Sequence, residues 1–523
     1  MVLLNGGHEV TLKNFAGKLV NKIRAAFDGT PLPANTSGGT PRTQMLSVHN
    51  PILGASWKDT AQKSYKAYWD SAHARSVVNS LRNFTVNSGL RLQAMPSATL
   101  LGANEEQLRE WVARVESSWR IWSNSKDADY AYQNSLNQLQ GLAVTSMLVW
   151  GEYFAVMRWD SKRQRINPLS VQLIHPAQVA QPAGNFIEAA RSRGNIIKEG
   201  IEISQTGEEV AVYVKTKKPD GQTETNRIAA YSEKTKKQIL VHGYVSMEPG
   251  QYRGMPFLAP VLHELAKCSD MTIFELESAV INASMAGIVT VDKDATAGQA
   301  PFGTFGAPKG QTDSAPSQQT VSGYDDLVLR EVKHGGIINQ GLPPGYKYDG
   351  IDTRRPNVNV PEFIDRLLTY ISSAVGIPIE LVKMQFGQNY SASKGSIELG
   401  FRIFENLNQE FANDFLNPIY SAWLEGEIAA GLVAAPGWEI PRIRAAWTFA
   451  RWNGLPIPSL NPAVETRAAE TRVMNGFSTR EYEAQKLTGT TFAENVARLK
   501  DENTKLISSI QMFPEYQQQE LPF

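Results

Sequence analysis

Ala392-Ser393-Lys394-Gly395-Ser396 sets a lysine among small hydroxyl-bearing residues, the types that neutralise and cradle a phosphate. A nucleotide-binding loop needs more than that. It requires Gly-x-x-x-x-Gly-Lys-Ser/Thr, whose glycines let backbone N–H groups close around the phosphates. No such glycine loop precedes Lys394, so ATP hydrolysis by that route is excluded and mechanical work would need a separate motor. His263-Glu264 opens the His-Glu-x-x-His pattern of a zinc protease, but Lys267 occupies the place of the second histidine. No Gly-x-Ser-x-Gly nucleophile turn occurs. The seven histidines, His8, His49, His73, His175, His242, His263 and His334, stand singly and read as structural. Asp325-Asp326 and Glu208-Glu209 fall in turn-like polar contexts. Without a pocket to push their pKa values apart they read as solvated surface, not as an acid/base pair. The single cysteine, Cys268, rules out an intramolecular disulfide and a cysteine-cluster zinc site, and its apolar surroundings predict a buried thiol. No catalytic, cofactor or metal constellation emerges.

Composition narrows the class from the other side. The 523 residues are 42% hydrophobic and 20% charged, enough for an ordinary folded protein of several domains. The 52 basic and 52 acidic side chains cancel. A protein that grips nucleic acid by neutralising phosphates carries a basic excess. A neutral balance suits a channel through which DNA slides, and equally a soluble enzyme. No apolar block of secretory length stands at the start. The apolar stretches near 142–150 and 273–291 are too short or broken by Glu275 and Glu277, so no membrane span is expected and the protein reads as intracellular where it is made.

The periodicity predicts an α+β, helix-rich fold. Residues 11–27 form a basic amphipathic pattern, with Leu12, Phe15, Leu19, Val20, Ile23 and Phe27 at helical spacing and Lys13, Lys18, Lys22 and Arg24 between them. A Gly/Pro/Ser/Thr linker follows at 29–43. Helical spacing dominates 63–122 and returns at 128–150, where Gly151 ends it. Alternation predicts strands at 153–159, 171–174, 197–203, 210–215 and 238–245. A helix over 257–288 carries the stripe Leu258, Leu262, Leu265, Ile273, Leu276, Val280 and Ile281; its prolines, Pro256 and Pro260, are tolerable in the first turn. Residues 292–324 are Gly/Ala/Pro/Ser-rich and read as a mobile loop, with strands around it at 327–329, 336–338 and 346–348. A further helix, 362–375, stops at Gly376. After an irregular stretch, 377–390, a long helix begins near Ser391–Ser393 as cap, bears Ile397, Phe401, Phe404, Leu407, Phe411 and Phe415, kinks at Asn417-Pro418 and ends by Gly431. Two or three helices follow, with Ser478 as cap and Glu481 completing a capping box.

Two segments in the right order carry a family resemblance. Pro249-Gly250-Gln251-Tyr252-Arg253-Gly254-Met255-Pro256, followed by Leu258-Ala259-Pro260-Val261-Leu262, resembles the RPGQ-x-RG-x-P-x-LAPVL signature of the lambda-type phage portal proteins. Asn389-Tyr390-Ser391-Ala392-Ser393 resembles that family's NYSS-type motif, again just before a long helix. Gly200-Ile201-Glu202, in register with Val210-Ala211-Val212-Tyr213-Val214, is similar to a third family phrase. Asn461-Pro462-Ala463-Val464-Glu465 and Gly476-Phe477-Ser478-Thr479 are similar to its carboxy-terminal block, with Asn461 in place of the family's Asp and an apolar residue in place of its Lys.

The resemblance implies a non-enzymatic portal subunit, with no cofactor or metal, whose ring, a dodecamer, conducts double-stranded DNA at a capsid vertex during packaging and ejection. Its implied partners are the terminase large subunit, the major capsid protein and scaffold, and head-tail connector or tail proteins. It would sit in the virion at the portal vertex, after assembly in the host cytoplasm. Mapped onto this chain, residues 1–60 become an amino-terminal arm, 61–256 the wing, 257–288 and 359–376 the two stem helices and 289–358 the clip, mobile near 295–323. Residues 377–391 become the tunnel loop, 392–431 the spine helix, 432–459 a return to the wing and 460–523 the crown and tail. Lys383, Gln385, Phe386, Gln388 and Asn389 would face the channel. Pro249, Gly250, Gln251, Arg253, Gly254, Pro256, Ala259, Pro260, Asn389, Tyr390 and Ser391 would serve the fold. A phage-encoded hydrolase or nuclease, or a capsid-associated protein that forms no pore, remain the alternatives from the residues alone.

Overall fold

A computed structural model of the protein describes residues 57–160, 164–284, 288–291, 346–349, 360–385, 390–454, 462–490 and 492–512. The amphipathic segment at 11–27, the loop near 295–323 and the strands expected at 327–329 and 336–338 lie outside the described residues. The chain divides into two compact units, Met1–Leu265 with Tyr370–Phe523, and Ala266–Thr369.

The first unit opens with helices α1 (Trp57–Asp70) and α2 (Ala72–Thr85), the second capped by the Ser71 hydroxyl. Strand β1 (Arg91–Ala94), a one-turn helix α3 (Ala98–Leu101) and α4 (Glu105–Asn124) follow. Helix α5 (Leu136–Trp150) starts later than helical spacing suggests. The buried Asp129 carboxylate accepts the N–H groups of Ala131, Gln133 and Asn134 and holds a turn there. A capping box between Ser135 and Gln138 then starts the helix.

Two antiparallel sheets share one core. Strand β2 (Glu152–Trp159) is central between β3 (Leu169–Ile174) and β8 (Leu240–Tyr244). Helix α6 (Gly184–Ser192) precedes the second sheet, β4 (Ile196–Lys198), β5 (Ile201–Ile203), β6 (Glu209–Lys217) and β7 (Thr223–Ala229), in that order. Phe154, Val156, Ile174, Ile201, Val212, Leu240 and Tyr252 form the core between them. The single strand expected over 197–203 is a hairpin, because Glu199 and Gly200 both take positive φ (48° and 87°) and reverse the chain.

Helix α7 (Leu262–Ser284) ends before the expected 288, and β9 (Ile288–Val291) pairs antiparallel with β10 (Tyr346–Asp349). Helix α8 (Val360–Val375) ends at Gly376, whose φ of 79° favours glycine. The stretch expected to be irregular contains a short helix, α9 (Ile379–Lys383).

The long helix expected here is α10 (Tyr390–Phe411), a π-turn at Ala412–Leu416 and α11 (Asn417–Ala429). It starts at Tyr390, so Ser391–Ser393 lie inside its first turn instead of capping it. Pro418 has no N–H to offer the carbonyl four residues back, and the chain answers by widening one turn, in which Asn417 N–H reaches Ala412 O. Around it Trp119 and Trp122 of α4 pack with Tyr420 and Trp423 of α11 and with Trp452, ring centroids 5.1–6.2 Å apart.

Helix α12 (Pro441–Trp447) leads to β11 (Ala450–Asn453), which pairs with β1. Three helices, α13 (Pro462–Met474), α14 (Arg480–Thr488) and α15 (Phe492–Met512), close the chain. Thr479, not Ser478, caps α14, because its hydroxyl meets the Tyr482 N–H. Glu481 instead accepts from Phe492 N and Gln485, joining α14 to α15.

Candidate functional site

The signature residues converge on one buried carboxylate. Gly151 ends α5 with a φ of 90°, and Glu152 follows as the first residue of β2, fully buried. A lone carboxylate there would be prohibitive to ionise. Arg253 resolves this: its Nε donates to Glu152 Oε2 at 2.9 Å and its Nη2 donates to Glu152 Oε1. The Gly254 N–H adds a 3.0 Å bond to Oε2, and His242 Nε2 lies 3.3 Å away. Arg253 Nη1 donates to the carbonyls of Glu199 and Val179, so every guanidinium nitrogen is used. The guanidinium sits 3.6 Å from the centre of the Trp57 ring, and Trp57 Nε1 donates to Gly254 O at 2.6 Å.

Each signature position has a physical task. Gly250 takes a φ of 78°. The Gln251 side chain accepts Met247 N–H at 2.8 Å and donates to Arg253 O at 2.8 Å, fastening the turn to itself. At Gly254 a Cβ would strike Gly151 O and the Tyr244 Cβ, so only glycine lets these backbones touch. Pro256 is buried, its carbonyl accepts Ala259 N–H, and Phe257 N–H pairs with Leu148 O. Pro249 and Pro260 are exposed and Ala259 is half-buried. The whole device fixes the lead-in to α7.

Sequence reasoning missed Trp57, Glu152 and His242. The legible signal was a carboxylate directly before the apolar run Tyr153–Met157, which demands a cation. Glu209, expected as solvated surface, is a partner as well: from β6 in the other sheet its Oε2 comes within 2.7 Å of His242 Nδ1 on β8. Burial alone would raise the Glu152 carboxyl, yet Arg253 and then His242 outweigh it and hold it below the usual carboxylate range. Burial would lower His242, but Glu209 first and Glu152 second raise it to about 9.

That proton has a sign and a window. A folded-state value above the ordinary 6.5 means the stabilisation is complete below about pH 6.5 and fades as pH rises through about 9. It is worth about 3 kcal/mol at full strength. The melting temperature should therefore fall across that interval, and His242→Gln should flatten the slope. Parallel melting curves for the two proteins would show that the proton is not held there.

A second hub explains the Gly-Ile-Glu phrase. Glu202 is fully buried and accepts from Arg193, Arg227, Asn195 and Tyr213 at 2.7–3.2 Å. Burial opposes its charge, but Arg227 first among these donors holds it down to about 2. In both hubs the buried carboxylate is met by several donors at once, which suits a rigid structural part. Among the described residues no cluster of three or more His, Cys, Asp or Glu could hold a metal. No described helix is long and apolar enough to cross a membrane. Cys268 is buried.

The expected channel residues lie elsewhere in the fold. Lys383 ends α9 half-buried, and Gln385 is exposed just beyond. Phe386, Gln388 and Asn389 lie outside the described residues, and Tyr390 and Ser391 form the first turn of α10.

The family model for "Phage portal protein, lambda family" matches residues 42–407. The portal protein of Escherichia phage N15 is 23% identical over 431 residues, 80% of this chain and 78% of that protein. Portal protein B of Escherichia phage lambda is 21% identical over the same shares. A chain from the virion of a native gene transfer agent particle aligns at 14% identity and a TM-score of 0.37, covering 78% of this chain and 98% of that one.

Proposed function

The chain belongs to the lambda family of phage portal proteins, and we propose that it assembles as a cyclic ring, a dodecamer in the virion, through which double-stranded DNA is packaged and ejected. The observation that carries the ring is an apolar face left bare by one subunit. On α7, Ile273, Phe274 and Leu276 are 52%, 60% and 65% exposed, and Phe363 and Tyr370 of α8 are exposed too. Leu258 and Leu265, at the other end of the expected stripe, are buried, as is Cys268. Closed symmetry covers such a face without open-ended growth. In this reading α7 and α8 are stem helices, residues 61–256 the wing, 289–358 the clip and 460–523 the crown. The subunit is a structural part without catalytic activity of its own. Its partners are the terminase large subunit, the major capsid protein and scaffold, and the connector or tail. Its place is the capsid vertex of the virion, reached through assembly in the host cytoplasm.

Residues 377–391 are the channel loop in this reading, with Lys383 and Gln385 toward DNA. One lysine per subunit brushes phosphates without the deep trap an arginine cluster would make. Lys383 is half-buried, so Lys383→Ala should cost about 1 kcal/mol or less and leave the subunit folded. Packaged or retained DNA should nevertheless fall. Packaging assays on particles carrying the variant decide it: normal DNA content removes this loop from the channel.

A further inference from the structure

Helix α9 is pinned from two sides, and we infer that Ser76 and Ser80 are positioning residues that set the channel loop against DNA, an inference that rests on the channel reading of residues 377–391. The two serines sit one turn apart on α2 and so share a face. Ser76 Oγ donates to Val382 O at 2.6 Å, and Ser80 Oγ to Leu381 O at 3.1 Å. These are the carbonyls that need outside help. Helix α9 ends at Lys383, so its last carbonyls have no N–H further along the helix to accept from. Leu381, Val382 and Ser80 are buried, where an unmet carbonyl is costly. Serines inside a helix commonly bond back to their own preceding turn. Both of these instead reach across about 300 residues of sequence, as the separations of 306 and 301 record.

The other side of the clamp is the spine. A Cβ at Gly400 of α10 would lie 2.7 Å from Cδ and Cγ of Pro378, the residue that opens α9, so the absence of a side chain there is what lets the two meet. Beyond the clamp, Met384 takes a φ of 52°, and its N–H and that of Gln385 both return to Glu380 O. The chain is thus held until Lys383 and then turned abruptly at an exposed Met384. Because α2 belongs to the proposed wing, the two hydroxyls tie the wing directly to the base of the loop that carries Lys383.

Hydrogen–deuterium exchange on the assembled full-length protein, combined with packaging assays, tests this. Ser76→Ala and Ser80→Ala should each speed exchange of the 383–385 amides by about five-fold, the factor for one neutral hydrogen bond. Peptides from α4 should not change, which separates the effect from general loosening. Retained DNA should fall in the direction seen for Lys383→Ala, and Ser76→Thr, which keeps the hydroxyl, should restore both readouts. Unchanged exchange at 383–385 in both alanine variants overturns the clamp. Faster exchange with normal DNA retention, while Lys383→Ala loses DNA, overturns the positioning role and leaves the channel reading standing. Normal retention in Lys383→Ala as well overturns the reading beneath it.

Discussion

Replacing Arg253 by alanine destabilises the first compact unit by about 3–5 kcal/mol, the cost of leaving a buried charge without its partner. The substitution strips Glu152 of two charge-assisted bonds, frees the Glu199 and Val179 carbonyls and removes the plate beneath the Trp57 ring. Arg253→Lys recovers only part of this, because an ammonium cannot use two oxygens of one carboxylate and two carbonyls together. Removing the carboxylate as well, in Glu152→Met with Arg253→Met, costs less than the two single changes added, since neither charge is then stranded. Urea unfolding of the parent, Arg253→Ala, Arg253→Lys, the two single methionine variants and their double checks this. A loss under about 1 kcal/mol for Arg253→Ala, the level of an exposed pair, contradicts the buried-hub account.

Phe411→Ala costs a similar amount, about 3–5 kcal/mol, for a different reason: it opens a cavity. Phe411 is 1% exposed at the last α-helical position before the π-turn. It stacks on Phe415 with ring centroids 4.9 Å apart and meets the edge of Tyr153 at 5.7 Å. Tyr153 in turn lies over Gly243, where a Cβ would collide with the ring, so the surroundings cannot collapse to fill the space. Phe404→Ala, equally buried and stacked on Phe84 at 5.1 Å, should behave alike. The readout is the unfolding midpoint together with ring assembly. Wild-type stability in either variant contradicts the packing described for the spine.

How much of this was legible in the sequence follows from the range of each interaction. Helices α5, α8 and the spine, and strands β2, β3, β6 and β8, show their periodicity and their stops at Gly151, Gly376 and Gly431. Strand β7 was not legible: Thr223-Glu224-Thr225-Asn226-Arg227 is polar and becomes a strand only by pairing with β6. Helix α9 hid because five residues are too few for a period, and its carbonyls are met by α2, far away in sequence. The signature marked Gln251, Arg253 and Gly254 as a unit, but its partners Glu152, His242 and Trp57 are distant along the chain and meet it only through the sheet order β3-β2-β8 and the placing of α1. The π-turn was foreshadowed by Pro418, although a kink was expected where the chain widened one turn.

The central claim is that this chain builds a ring around a DNA channel, and negative-stain images of the purified full-length protein, with light scattering on the same sample, test it most directly. Rings with a central hole, of a mass many times that of one subunit, are the predicted result, formed without DNA because the bare faces of α7 and α8 need only copies of themselves. A monodisperse monomer across micromolar concentrations, with no rings in the images, would contradict it.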